Sequence, residues 1–341
     1  MLFRKVIYFL LLLAGLLIAS YYLQPLKKGR GLDTIIKYEL VKEWPDLPAN
    51  LKLGNPTGIG IDTNQNIVIF HRAGREWPLL GSMPASSIQN KTILIVDKDN
   101  GKLIDSWGNN LFIMPHGLTV DKENNIWVTD VGLHQVFKFS NKGKLLIKLG
   151  EARVSGNDSL HFNKPTDIVV ANDGSFYVSD GYGNSRIIKF SPIGKYLFEW
   201  GKKGSKKEEF DIPHGIDLDD NGNVYVADRE NNRVQIFDSS GRFLKQWTDK
   251  SFGSIYSISF DKKKSKLFAI DDFTFLKIKH RGSDVFIFDN LGNIQTRFGR
   301  SGSYRGLVSW YHDLAIDKDE NIYVGDILGN TIQKFKKISI N

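Results

Sequence analysis

Residues 213–237 read PHGIDLDDNGNVYVADRENNRVQIF, and their pattern decides the fold. Three short apolar or alternating runs, PHGIDL, NVYVAD and NRVQIF, are separated by Asp-Asp-Asn-Gly and by the polar stretch around Arg229-Glu230-Asn231. Runs of this length bounded by turn residues are β-strands joined as hairpins. The unit recurs along the chain. Its first strand reads PTGIGID at 56–62, PHGLTVD at 115–121, PTDIVVA at 165–171, IYSISFD at 255–261 and YHDLAID at 311–317. Second strands follow as NIVIFH (66–71), NIWVTD (125–130), SFYVSD (175–180), KLFAID (266–271) and NIYVGD (321–326). Further third strands read HQVFKF (134–139), SRIIKF (185–190) and TIQKFK (331–336). Many units close on a bulky residue before glycine, as in Trp107-Gly108, Leu149-Gly150, Trp200-Gly201 and Phe298-Gly299.

Five of the second strands end in aspartate, at 130, 180, 228, 271 and 326, so the period is 43 to 55 residues. Four antiparallel strands at that period predict the blades of an all-β, six-bladed β-propeller. A repeat array folds as one unit, so 341 residues do not imply two domains. After residue 35 no segment has a helical period. The chain ends at Asn341, soon after the last third strand, which leaves that blade without its outer strand. Residues 37–44, KYELVKEW, are expected to supply it and close the ring, removing open strand edges.

Ahead of the ring, Arg4 and Lys5 precede an apolar run at 6–23, and Lys27, Lys28 and Arg30 follow it. Eighteen apolar residues reach the lower limit for a membrane-spanning helix and exceed a typical signal-peptide core. The expected organisation is a signal anchor or signal peptide at 1–30, a tether with the closing outer strand at 31–53, and the propeller at 54–341. A large domain downstream of such a segment is translocated whatever its flanking charges. The propeller is therefore expected outside the cytoplasm, held on the membrane, or secreted if the segment is cleaved. The chain has no cysteine, which excludes disulfides, thiolate metal sites and a cysteine nucleophile. A formal charge of +8 invites a nucleic-acid partner. The lysines instead scatter through turns such as Lys202-Lys203, Lys206-Lys207 and Lys262-Lys263-Lys264, with no aromatic stripe beside them, which reads as a solvated basic surface and no nucleic-acid site. The chain is expected to act as a monomer on a small-molecule or peptide substrate.

Three of the seven histidines carry the chemistry. His116, His214 and His312 occupy the same place on the innermost strands of alternate repeats, 98 residues apart in both intervals. Alternate blades of six are related by about 120° around the axis, so the three imidazoles are expected to meet on it. Three neutral imidazoles with an open fourth position describe a catalytic zinc site. The bland alternative makes Pro-His-Gly a favoured turn with each ring satisfied locally. His71 takes the aspartate's place in the first repeat, and with Arg72 it reads as a charged pair facing the channel mouth or as a structural ion pair.

Together with the histidines, the stretches IVIFHR (67–72), LFIMPHGLTVD (111–121), WVTDVGLHQVFK (127–138), PTDIVV (165–170), VSDGYGNSRI (178–187), PHGIDL (213–218), VADRENNRVQIF (226–237) and HDLAID (312–317) resemble peptidyl-α-hydroxyglycine α-amidating lyases, a family of NHL-repeat propellers. The resemblance covers residues 50–337. It implies zinc on His116, His214 and His312, and a structural calcium on the Asp313 carboxylate and the backbone carbonyls of Ile59 and Leu118. It also implies a reactive face of Tyr182, Arg72 and Arg229. The implied reaction breaks the C–N bond of a carbinolamide to give an amide and glyoxylate. A phenol with an ordinary pKa near 10 needs cations close by to act as its base, and Arg72 is the candidate for that. Arg229 can grip a carboxylate in a two-pronged fork. The chain departs from the family at Trp310-Tyr311, where a Met-Pro pair is common. Two other readings remain: a non-enzymatic propeller that binds a peptide, glycan or protein, and a lactonase-type enzyme with a calcium-centred carboxylate site. For the latter the sequence offers Asp313 but no evident cluster of metal-facing acids.

Overall fold

A computed structural model describes residues 36–78, 82–261, 265–275, 279–299 and 308–339. Six four-stranded antiparallel sheets form the blades of a propeller. Their inner strands are Pro56–Ile61 (blade 1), Pro115–Val120 (blade 2), Asp167–Val170 (blade 3), Pro213–Leu218 (blade 4), Ser254–Asp261 (blade 5) and Tyr311–Ile316 (blade 6). Among the described residues no helix is long and apolar enough to cross a membrane. The expected anchor at 6–23 lies outside the described residues.

The burial of each strand follows its radial position. Second strands such as Ile67–His71, Ile126–Asp130 and Val224–Asp228 are buried at every residue, because blades pack against both of their faces. A strand covered on both faces loses its polar alternation. The outer strand Tyr196–Trp200 alternates half-buried and exposed residues, since blades diverge at the rim. Two third strands escaped the sequence reading, Ile93–Val96 in blade 1 and Asp284–Phe288 in blade 5. Both follow long insertions, at 72–92 and 273–283, and the second insertion folds in part as the small hairpin Thr274–Phe275 with Lys279–His280.

The aspartates that end the second strands share one task. Asp130 accepts the backbone N–H groups of Ile113 at 2.7 Å and Met114 at 2.9 Å, just ahead of Pro115-His116. Asp228 accepts that of Asp211 at 2.8 Å, ahead of Pro213-His214, and Asp326 that of Trp310 at 2.8 Å, ahead of Tyr311-His312. Each carboxylate thus pins the loop that feeds an inner strand, and orphan N–H groups on that loop are satisfied. Asp228 and Asp180 also bind the arginine that starts the third strand, Arg233 at 2.7 Å and Arg186 at 3.1 Å.

Ring closure comes from the start of the described chain. Ile36–Leu40 pairs antiparallel with Thr331–Ser339, placing Leu40 opposite Phe335. The strand is shorter than the 37–44 expected, ending at Leu40. Tyr38 stacks on Phe298 with centroids 5.3 Å apart, and beyond the strand Trp44 packs at 5.1 Å on Tyr323. A chain beginning after Val41 would expose the edge of Thr331–Ser339. We expect its Tm to fall by about 3–5 °C, corresponding to roughly 2–3 kcal/mol in a domain of about 300 residues, and exposed edges to pair between molecules. Thermal melts with light scattering check this, and an unchanged Tm with a monomeric mass would contradict it.

Candidate active site

Six residues, one from each blade, ring the axis, five of them on inner strands and Thr166 just ahead of its own: Thr57, His116, Thr166, His214, Tyr256 and His312. The histidines come from blades 2, 4 and 6, as their spacing predicted. Ring centroids lie 4.6–4.9 Å apart, and the three nitrogens that could bind one ion lie within 4.8 Å of one another. The residues of the odd blades, which the sequence reading passed over, orient them. His116 Nδ1 bonds the carbonyl of Thr166 at 2.6 Å, His214 Nδ1 that of Tyr256 at 2.7 Å, and His312 Nδ1 that of Thr57 at 2.9 Å. A carbonyl only accepts, so Nδ1 carries the proton and Nε2 is left as the acceptor nitrogen.

All three imidazoles are buried, and burial holds each well below its ordinary pKa. Neighbouring histidines and the cations of Arg72 and Arg229 push in the same direction. The triad is therefore neutral, with three convergent nitrogen donors whose other nitrogens bond carbonyls, the arrangement in which histidines hold zinc. This donor set fits the metal that the sequence suggested.

Tyr182 sits in the turn after the second strand of blade 3, between Gly181 and Gly183. A Cβ on Gly181 would meet the Pro213 carbonyl oxygen at 2.1 Å, and one on Gly183 the Asn163 side chain at 2.1 Å. The flanking glycines let this turn press against its neighbours and carry the phenol over the triad. The Tyr182 hydroxyl lies 3.1 Å from His116 Nε2 and 3.3 Å from His214 Nε2. Arg229 Nη1 donates to it at 3.3 Å. Arg229 comes from the single-turn helix Arg229–Asn231 that follows Asp228, and its Nε binds Glu230 at 3.0 Å.

Arg72 is buried in the blade 1 insertion, where its Nε donates to the Pro115 carbonyl at 3.2 Å and its guanidinium lies 5.2 Å from the Trp77 ring. Burial lowers its pKa to about 10. The cation bonded to the phenol is thus Arg229, while Arg72 lies against Trp77, which packs on Tyr182 at 5.1 Å. Trp77 and Tyr256 were not singled out from the sequence; only their aromatic character could have marked them.

The residues that follow the ring positions form a second layer: Gly58, Gly117, Asp167, Gly215, Ser257 and Asp313. A cavity of about 150 Å³ opens there, lined by Ile59, Leu118, Asp167, Asp217, Ser257 and Asp313 among others. Asp313 accepts the N–H of Ile59 at 2.6 Å and the hydroxyl of Ser257 at 2.5 Å. Burial pushes the Asp313 carboxyl up to about 7. Burial and the charge of Asp313 hold Asp167 well above the usual carboxylate range. Asp313, Ile59 and Leu118 thus share one oxygen-lined cavity, which suits a hard cation. The acidic lining is richer than the sequence suggested, since Asp167 and Asp217 join Asp313. Among the described residues, however, only the histidines bring three such ligand atoms within 4.8 Å.

His71 corrects one expectation. It is 1% exposed, and burial lowers its pKa to about 4, so it is neutral and forms no charged pair with Arg72. Its Nδ1 accepts the N–H of Ala73 at 3.1 Å, much as Asp130 accepts that of Gly132. The folded pKa lies below the unfolded value near 6.5, so the unfolded chain takes the proton first. Stability is then constant above pH 6.5 and falls as pH drops from about 6.5 to about 4, by up to about 3 kcal/mol for this group. In urea melts, His71→Asn should lack that component, its stability falling less steeply than wild type across this window. Parallel curves would refute the assignment.

The chain matches the NHL repeat over residues 112–139, 162–190 and 210–237. It is 36% identical over 321 residues to peptidyl-glycine alpha-amidating monooxygenase A of Xenopus laevis, covering 89% of this chain and 34% of that one. The chain thus spans about a third of the length of that relative. Among solved structures, virginiamycin B lyase of Staphylococcus aureus aligns with a TM-score of 0.56 at 15% identity, over 90% of this chain and 89% of that one, a likeness of fold. A probable peptidyl-alpha-hydroxyglycine alpha-amidating lyase of Caenorhabditis elegans is 35% identical over 316 residues, covering 89% of this chain and 88% of its own. Identity of that level across nearly nine tenths of both chains makes this protein a member of the peptidyl-alpha-hydroxyglycine alpha-amidating lyase family.

Proposed function

We propose that the chain is a zinc-dependent carbon–nitrogen lyase that converts a peptidyl-α-hydroxyglycine, or a closely related carbinolamide, into the amide and glyoxylate. The observation that carries this reading is the Tyr182 hydroxyl poised between two histidines of the triad and the Arg229 guanidinium. His116, His214 and His312 would hold the zinc, which supplies Lewis-acid polarisation of a substrate oxygen. Asp313, with the backbone at Ile59 and Leu118, would hold a structural calcium.

Tyr182 Oη takes the proton of the carbinolamide hydroxyl. The oxygen's electron pair forms the aldehyde carbonyl as the C–N bond breaks, and the proton passes to the departing amide nitrogen. Arg229 Nη1 holds the Tyr182 hydroxyl in place at 3.3 Å, and its guanidinium binds the carboxylate that becomes part of glyoxylate. Arg72, held by the Pro115 carbonyl, adds positive charge while its desolvation is shared with the Trp77 ring. The apolar run at 6–23 supports a membrane-anchored, extracytoplasmic location.

The purified chain should carry one zinc and release glyoxylate from α-hydroxyhippurate. His214→Ala should lose both the metal and the turnover, and chelation should lower Tm because a ligand bound only by the folded state is withdrawn. Elemental analysis finding equal zinc in wild type and His214→Ala would refute the metal assignment.

Tyr182→Phe should cut kcat by about a hundredfold or more, the scale of a lost general base, with zinc content unchanged. Arg229→Lys should raise KM by about tenfold because the two-pronged grip is lost. Steady-state kinetics separate the two effects, and an active Tyr182→Phe enzyme would remove the phenol from the mechanism.

A further inference from the structure

Tyr256 occupies the ring position that threonine holds in blades 1 and 3. All three residues present a backbone carbonyl to a histidine, and Tyr256 does so for His214 at 2.7 Å. Threonine serves that purpose at Thr57 and Thr166, both almost completely buried. The orienting bond therefore needs no aromatic ring, and the ring of Tyr256 requires a separate account.

That ring faces the reactive side. Its centroid lies 4.9 Å from the guanidinium carbon of Arg229, which is itself 5.3 Å from the Tyr182 ring. It also lies 4.8 Å from the His214 ring and 5.7 Å from the His312 ring, with Trp310 edge-on at 6.3 Å. Arg229 is only 9% exposed, so its cation has little water to hold it in place. Glu230 takes its Nε and Tyr182 meets its Nη1. Among the described residues no hydrogen-bond acceptor meets Nη2, which leaves that nitrogen for a ligand.

We propose that Tyr256 is a positioning residue: its carbonyl orients His214 while its ring holds the Arg229 guanidinium over the triad, so that a substrate carboxylate and the histidine centre are presented in fixed relation. This rests on the reading of Arg229 as the carboxylate-binding group. The ring face, and not the hydroxyl, performs the task, since an aromatic face attracts a guanidinium stacked on it. Without the ring the arginine would still be present but free to turn away, and the cost would fall on carboxylate binding.

The test uses the full-length, zinc-loaded protein with Tyr256→Thr, the side chain that blades 1 and 3 already accept here, and Tyr256→Phe, which keeps the ring. Two quantities are measured: KM and kcat on α-hydroxyhippurate, and the Kd for glyoxylate by calorimetry. Tyr256→Thr should raise both KM and the glyoxylate Kd by about tenfold and leave kcat within about threefold, with wild-type zinc content because the carbonyl is retained. Tyr256→Phe should restore both constants to within about twofold of wild type. A Tyr256→Thr protein that binds glyoxylate as wild type does overturns the proposal. So does a Tyr256→Phe protein as weak as the threonine variant, or wild type with no affinity for glyoxylate. Should Tyr256→Thr fail to fold, loss of glyoxylate binding in Tyr256→Phe would decide against the proposal. Absence of turnover in a wild-type protein that binds glyoxylate would instead sink the lyase reading, and the glyoxylate affinities would still judge Tyr256.

Discussion

Three hydrogen bonds between neighbouring blades set the centre of this protein: the Nδ1–H of His116, His214 and His312 to the carbonyls of Thr166, Tyr256 and Thr57. They require inner strands close enough for a side chain of one blade to reach the backbone of the next. Glycine permits that approach twice. A Cβ on Gly117 would meet the Thr166 carbonyl oxygen at 2.5 Å, and one on Gly215 would meet Ser257 Cα at 2.8 Å. The buried aspartates at the ends of the second strands complete the arrangement, because Asp130, Asp228 and Asp326 fix the loops just ahead of the three histidines. Carboxylates buried for structure thereby place three imidazoles around the axis.

The same packing separates charge along the axis. On the histidine side lie the cations of Arg72 and Arg229 with neutral imidazoles and a phenol. On the far side lie Asp167, Asp217 and Asp313 around the cavity. Burial acts on both faces in the same sense, disfavouring charge, so histidines lose protons and carboxyls keep them. A softer nitrogen-loving ion suits one face and a hard oxygen-loving ion the other. The alternation of residue types around the ring, His-Gly, Thr-Asp, His-Gly, Tyr-Ser, His-Asp and Thr-Gly, builds both faces from adjacent positions of the same six strands.

The repeat was legible because β-structure writes itself locally. Alternation, turn residues and the aspartates at 130, 180, 228, 271 and 326 fixed the all-β class, the blade count and the rotational relation of the three histidines. Equal 98-residue intervals translate into equal angles only because each repeat has the same radial order, so chain position encodes position around the axis. Long insertions broke that correspondence: the third strands Ile93–Val96 and Asp284–Phe288 went unread, as did Trp77, whose contact with Tyr182 depends on how residues 72–92 fold back.

What the sequence by itself determined, then, was periodic: the fold and the placement of the three histidines, while Tyr182, Arg72 and Arg229 came only as what a motif resemblance implies. The tertiary structure alone decided which groups meet across blades. It brought Arg229 rather than Arg72 into contact with the phenol, made His71 a neutral acceptor where the sequence suggested a charge, and gathered Asp167 and Asp217 beside Asp313. Such meetings join residues separated by dozens to hundreds of positions, and they rest on burial and on the distance between packed sheets. Neither quantity is carried by residue type or spacing. The orienting carbonyls of Thr57, Thr166 and Tyr256 show the limit most plainly, since every residue has a carbonyl and only its place in the folded ring gives it a role.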